Sequence, residues 1–316
     1  MFLLEYCKIE RKERIMPSYK THSIHGELIL PEIDKKIEIN KEDFKSFCMG
    51  PDAMILTDYK TFEYQHANKT KKFFVSMLKL IKKKKLYNNS ETMAFLYGQI
   101  DHFVLDSVMH PLIYYMTENI EPTHKIKPHG LVEMWIDDYT TKKYNKDQLL
   151  YYQKLLIHNK DLIDMIDELY KTVYKVKKEG NKYSFGMIST VMFDSLVRRN
   201  LIGIIPLIIK VFNTGDFKYN KDFNRVLPYL NLDNKVWHNL ETNEEYQYSF
   251  EDLWKKSIEI SLETIDDVNK YIYQDKQLTN PFIINNISYN TGLPCEVGQS
   301  FKYLKKQFNI KEKSRN

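Results

Sequence analysis

His102, Asp106 and His110 stand at four-residue intervals in the run from residue 94 to 111, whose apolar content and length suit a buried helix. On a helix, side chains at i, i+4 and i+8 drift slowly around the axis and form one short stripe. Two imidazoles flanking a carboxylate are costly to bury unless something compensates them, and a metal ion is the usual partner. Taken alone, the stripe is equally a helix face whose histidines are satisfied by hydrogen bonds.

The surroundings favour the metal. Seven of the nine histidines fall between His22 and His129. His129 and Glu133 form a second pair one helical turn apart, which alone could be a surface turn with a solvated glutamate. Upstream stand His22, His25, Asp52 in the turn-like Gly50–Pro51–Asp52, and His66. Together they supply nitrogen and oxygen ligands for two or three zinc ions without any cysteine, although manganese or iron would accept the same donors. Grouped ions of this kind ionise water near neutrality and bind phosphate oxygens as charge develops, which is the chemistry of phosphoester hydrolysis.

The order Thr21–His22, Gly50–Pro51–Asp52, His66, Gly98-x3-His102-x3-Asp106-x3-His110–Pro111 and His129-x3-Glu133 resembles the zinc-dependent phospholipase C family, in particular its intracellular bacterial members. Beyond Glu133 there are faint echoes in Trp237–His238–Asn239 and in Ser288–Tyr289–Asn290–Thr291–Gly292. The resemblance implies an all-α, phospholipase C-like or zinc nuclease-like fold with a metal cluster between helices. It assigns one zinc to Asp52, His66, His102 and Asp106. Asp106 then bridges to a second ion held also by His22, and His110, His129 and Glu133 hold the third. Asp52 is implied both as a ligand and as the group that orients or deprotonates the attacking water, with Asp58 and Asp101 as other acids to consider. Asp101 should point away from the His102 stripe and serve as a hydrogen-bond acceptor to a ligand. Secreted members place their next histidine further from the helix aspartate than the four residues seen here, and they use an amino-terminal tryptophan that has no counterpart. The His22 site is therefore the poorest in ligands, and His25 is an alternative to His22.

A chain of 316 residues can bury a substantial core as one large helical domain or two smaller ones. Cys7, Cys48 and Cys295 are too scattered for a disulfide framework or a thiolate zinc site. The first 15 residues are densely charged, lack the apolar core of a signal peptide and read as an N-terminal extension before Met16–Pro17. No window approaches a membrane span, so a cytoplasmic protein is expected. The net charge of +5 is mild, which fits a small phosphoester or phospholipid headgroup better than a nucleic acid while leaving the latter open. Lys82–Lys83–Lys84–Lys85 reads first as a solvated helix end, and second as a peripheral contact with anionic lipid.

The elements that must position these residues read as helices over 41–47, 69–85, 90–118, 127–142, 147–158, 161–179, 184–211, 249–274 and 296–309. The helix holding His102 is the most apolar and should be central, with Pro111 kinking or ending it just past His110. Residues 16–145 carry nearly all candidate ligands and form a metal-binding core. Residues 146–316 form a helical support region packed on it as one unit. Arg198–Arg199 could clamp a phosphate, but reads better as surface arginines paired with acids. The 23 Tyr and 17 Phe are mostly core.

The leading functional reading is a phospholipase C-like hydrolase using a metal-activated water. A zinc-dependent nuclease or nucleotide phosphoesterase keeps the metals and changes the substrate. A zinc-stabilised helical interaction protein keeps the metals and drops the chemistry, which is distinguishable because structural zinc sites are saturated whereas catalytic ones keep an open position.

Overall fold

The computed structural model describes residues 19–33, 35, 37–117, 128–146, 155–199 and 223–298. In chain order the helices are α1 (Tyr19–Ile29), α2 (Lys41–Phe47), α3 (Tyr59–Ala67), α4 (Thr70–Lys83), α5 (Ser90–Thr117), α6 (Pro128–Lys143), α7 (Lys160–Val173), α8 (Glu179–Arg198), α9 (Phe250–Gln274) and the single turn α10 (Pro281–Ile284). A 3₁₀ turn, Gly50–Met54, lies between α2 and α3. The strands are two-residue pieces, β1 (Trp237–His238) and β2 (Glu245–Tyr246), paired antiparallel. The fold is all-α, and no described helix is long and apolar enough to cross a membrane. The expected extension 1–15, most of the expected helix 147–158, the continuation of 184–211 past residue 199, and nearly all of 296–309 lie outside the described residues.

Local chemistry sets most helix starts. Asn40 and Asn159 accept from the first-turn amides of α2 and α7, Asp58 caps α3, and Ser249 with Asp252 forms a reciprocal capping box at α9. The α7–α8 break carries no such signal. Lys175 and Lys178 adopt left-handed conformations there, so α7 stops at Val173 and α8 starts at Glu179, correcting the boundaries expected at 179 and 184.

α5 is the axle. Twenty of its 28 residues are buried, and it packs against α9, α2, α1 and α6. Its first half, including Phe95 and Phe103, sits in a large apolar cluster with Phe44, Phe73, Phe74 and Tyr170. Its second half, Leu105 to Ile113, joins a smaller cluster around Trp237, Phe250 and Trp254. Each fully buried side chain of this kind contributes roughly 1.5–3 kcal/mol. His102, Asp106 and His110 lie along α5 where the two clusters meet.

Pro111 does not end α5, which continues to Thr117. The proline removes the amide that would bond the Ser107 carbonyl, and a hairpin-like loop, 287–294, packs at that notch. Gly292 of this loop has φ +65°, and a Cβ there would lie 2.5 Å from the Ser107 oxygen, so only glycine fits.

Candidate metal centre

Five elements bring the acids and imidazoles together. α1 supplies His22, the 3₁₀ turn Asp52, the last turn of α3 His66, α5 its stripe, and α6 Glu133. Asp106 is the hub. Its Oδ2 lies 2.9 Å from His102 Nε2 and 3.6 Å from His66 Nε2. Its Oδ1 lies 3.3 Å from His22 Nε2 and 3.7 Å from His110 Nε2. Asp52 Oδ1 is 3.2 Å from His66 Nε2 and 3.8 Å from His102 Nε2. Glu133 Oε1 is 3.2 Å from His110 Nε2. A tetrahedral zinc ion with ordinary bond lengths holds its ligand atoms about 3.3 Å apart, the spacing around which these distances scatter.

The tautomers are set from outside. Nδ1 of His66, His102 and His110 lies 2.8, 3.0 and 3.0 Å from the carbonyl oxygens of Phe62, Cys48 and Tyr289. A carbonyl only accepts, so each Nδ1 donates and each Nε2 is turned inward, the arrangement by which ligand histidines are normally oriented. His102 Nε2 and Asp106 Oδ2 are buried and, though 2.9 Å apart, form no well-aligned hydrogen bond, and His22 Nδ1 is buried with no partner at all. Buried polar atoms left in this state cost stability unless a further group satisfies them. His66, His102 and Asp106 offer atoms within 4.8 Å of one another, as do His22, Asp52 and His102, and either trio could hold a metal. The donor set fits zinc on both geometry and chemistry.

Without an ion, protons carry the balance. Burial alone would lower the His66 pKa, but hydrogen bonds and charge from Asp106 and Asp52 outweigh it and raise it to about 10. His110 is likewise raised to about 9 against burial, by Asp106 and Glu133. Burial pushes Asp106 up, yet His102, His110 and His22 hold it well below the usual carboxylate range. Asp52 is lowered for the same reason, whereas burial dominates at Glu133 and raises it.

Beside these groups lies a recess of about 40 Å³, lined by Thr21, His22, Asp52, Asp106, His110 and Glu133 together with apolar side chains including Met109, Ile113 and Phe250. That is room for a few water molecules. No lysine or arginine lines it among the described residues.

The spacings alone leave several of the site's supports invisible. Thr21 donates through both its amide and its hydroxyl to Asp137 Oδ1, each at 2.7 Å, pinning the start of α1 to α6. Asp137 is held in turn by Arg198, which also pairs with Asp138 and Asp194. Arg198 is therefore paired with acids, as expected, and is partly buried, while Arg199 beside it is exposed. Gly50 has φ +55°, and a Cβ there would strike the His102 ring at 2.3 Å. Tyr289 reaches the site from the far end of the chain. Its carbonyl orients His110, its amide donates to the His66 carbonyl, and its ring packs on His66 and His102. The Ser288–Gly292 echo was the one signal that pointed there.

Three expected alternatives are excluded by their contacts. Both nitrogens of His25 are engaged, Nδ1 with Asp101 and Nε2 with Ser257, so it cannot stand in for His22. Asp101 does face away from the stripe, but it serves His25 and Ser261 and none of the imidazoles around Asp106. Asp58 caps α3 and pairs with Lys182. His129 is buried in the first turn of α6, with its ring against Tyr114 at 4.8 Å.

A family model for zinc-dependent phospholipase C matches residues 21–180. The chain belongs to that family. The match opens at Thr21 and runs past Glu133, so it contains every residue of the cluster described above. Neither a search of curated proteins nor one of solved structures returned a match. Family membership makes zinc the metal and phospholipase C-type hydrolysis the general activity to be considered for this chain.

Proposed function

We propose that this chain is a zinc-dependent phosphoester hydrolase whose catalytic centre is the cluster around Asp106. Asp52, His66, His102 and Asp106 hold one ion, Asp106 and His22 a second, and His110, Glu133 and His129 a third. The observation that carries this reading is the convergence of four inward-facing imidazoles on one buried carboxylate, with His102 Nε2 and Asp106 Oδ2 at 2.9 Å but in no well-aligned hydrogen bond. When bound, zinc supplies a Lewis acid for the phosphoryl oxygens and the means to ionise water near neutrality.

The residues of the chain do the rest. Asp52 remains ionised and lines the recess, so its carboxylate is placed to orient or deprotonate the attacking water. The carbonyls of Phe62, Cys48 and Tyr289 keep three imidazoles from rotating away. The apolar wall of Met109, Ile113 and Phe250 excludes bulk water and suits the non-polar side of a phospholipid headgroup junction. With no lysine or arginine lining the recess among the described residues, a polynucleotide is a poor fit. The recess also argues against a purely structural zinc site, because saturated sites have no need of an open side. Residues 16–145 supply the ligands and 146–316 pack on them as one unit, a reading supported by Tyr289 and Ser288 bonding directly to His66.

The test is the metal content of chelator-free protein by plasma mass spectrometry, followed by turnover of phosphodiesters and short-chain phospholipids. Two to three zinc ions per chain with zinc-dependent turnover is the expected result. Stoichiometric zinc with no turnover on any phosphoester would leave the non-enzymatic reading standing.

A further inference from the structure

Three of the four imidazoles around Asp106, those of His66, His102 and His110, are turned inward by a backbone carbonyl at Nδ1. His22 is the exception. Its Nδ1 is buried with no partner, and its ring is stacked on that of His102 with the centroids 4.0 Å apart. No hydrogen bond braces this ring from behind, so the place of its Nε2 is set by the course of α1 itself.

That course is fixed one residue earlier. The Thr21 amide and hydroxyl both donate to Asp137 Oδ1 at 2.7 Å. First-turn amides have no acceptor within their own helix, and a carboxylate suits that end of the helix dipole. The other Asp137 oxygen accepts from Arg198 at 2.9 Å, and the same guanidinium binds Asp138 and Asp194. Asp137 is fully buried, so α1, α6 and α8 are tied at one point away from solvent. Arg198 lies beyond the matched residues 21–180.

We propose that Asp137 and Arg198 are positioning residues for His22, and that they set the affinity of the ion that His22 shares with Asp106. The proposal rests on the metal-centre reading above. Both side chains act by holding the backbone that carries the ligand. Of the three ions assigned, this one has the fewest protein ligands, so a small displacement of His22 costs it the most. The three imidazoles held by carbonyls do not depend on the tie.

The experiment compares wild type with Asp137→Asn, Arg198→Gln, Thr21→Val and Thr21→Ser, with folding checked by circular dichroism. Stepwise zinc affinities are read by competition against a chromogenic chelator. Overhauser contacts between the His22 and His102 rings are read by NMR of the zinc-free protein. Asp137→Asn and Arg198→Gln should each weaken the last zinc equivalent by about tenfold, leave the tighter ones unchanged and reduce the ring contacts. Thr21→Val keeps the shape and the amide bond but loses the hydroxyl, and should weaken the same equivalent by about threefold. Thr21→Ser should restore wild-type affinity. Unchanged affinities and ring contacts in folded variants overturn the proposal. An equal fall at every equivalent overturns it too, since that is what a merely loosened fold gives. If Asp137→Asn or Arg198→Gln does not fold, the two Thr21 variants decide. If wild type takes up no zinc, the metal reading fails, while the ring contacts still decide whether the tie positions His22.

Discussion

His22 and His25 lie three residues apart on α1, and each faces an aspartate of α5, at 3.3 Å for His22–Asp106 and 2.7 Å for His25–Asp101. Residue types, helices and burial are alike, yet the two pairs are in opposite states. His25 is closed, with Asp101 on one nitrogen and the Ser257 hydroxyl on the other, while Ser261 also donates to Asp101. His22 is open, for its Nδ1 has no partner and its aspartate is ringed by three other imidazoles. One histidine and one hydroxyl engage Asp101 Oδ1, and although Asp101 Oδ2 is left without a hydrogen-bond partner, no second imidazole of the described residues faces it. Four histidines oversupply Asp106, and the surplus lone pairs are what a cation can use. A His–Asp pair is thus made structural or metal-ready by its third and fourth neighbours.

The sharpest way to break this comparison is to neutralise each aspartate in turn. Asp106→Asn should lose zinc and activity together, with zinc affinity down by well over a hundredfold, since this carboxylate touches four imidazoles. Full zinc content and unchanged turnover would end the assignment of Asp106 as a bridge. Asp101→Asn should do the reverse. Its loss leaves a buried pair half-made, costing about 3–5 kcal/mol in urea unfolding, with zinc per chain unchanged. Zinc loss in a folded Asp101→Asn protein would show that the two pairs are not independent.

The cluster around Asp106 should also respond to pH. His66 and His110, on the open side, hold protons up to about 10 and about 9 when no metal is bound. Their folded values lie above the unfolded 6.5, so the stability they give the zinc-free protein is fully present below about pH 6.5 and is lost as pH rises through 9 and then 10. Zinc must displace both protons, so its affinity should climb by up to about a hundredfold per pH unit through the neutral range. Competition titrations at pH 6.5 and 7.5 measure this. A pH-independent affinity would mean that these imidazoles are not ligands.

The fold was legible wherever apolar periodicity or a capping residue marked it, as in α2, α5 and α9. α1 was not, because its sequence mixes two histidines, a serine and a threonine among few apolar residues. It is helical because Asp137, Asp101 and Asp106 of neighbouring helices bind those polar side chains. The ligand candidates were legible because a metal demands particular atoms at particular spacings. Their supports were not. A backbone carbonyl such as Tyr289 O can come from any residue, and the Arg198–Asp137–Thr21 chain joins positions more than a hundred residues apart only after folding.

Two glycines give the comparison its finest test, because one lies against Asp101 and the other against His102 of the open cluster. Gly26 on α1 approaches Cys48 Sγ and Asp101 Oδ2, where a Cβ would lie 2.4 and 3.4 Å away. Gly50 begins the turn carrying Asp52 in the left-handed region, and its Cβ would meet the His102 ring. Alanine at either site overpacks a dense region and should cost about 2 kcal/mol. The difference lies in what moves. At Gly26 the nearest atom is a thiol that takes no part in the cluster, so Gly26→Ala should keep its zinc. At Gly50 the nearest atoms belong to His102 itself, and the turn must also abandon φ +55°, which alanine adopts only at a cost of about 1–2 kcal/mol. Gly50→Ala should therefore shift His102 and Asp52 together and weaken zinc binding well beyond what its loss of stability requires. Competition titration against a chromogenic chelator, run beside urea unfolding of both variants, separates the two effects. Equal zinc affinity in the two alanine variants would mean that the turn does not set the metal geometry, and that His102 is held by its bond to Cys48 alone.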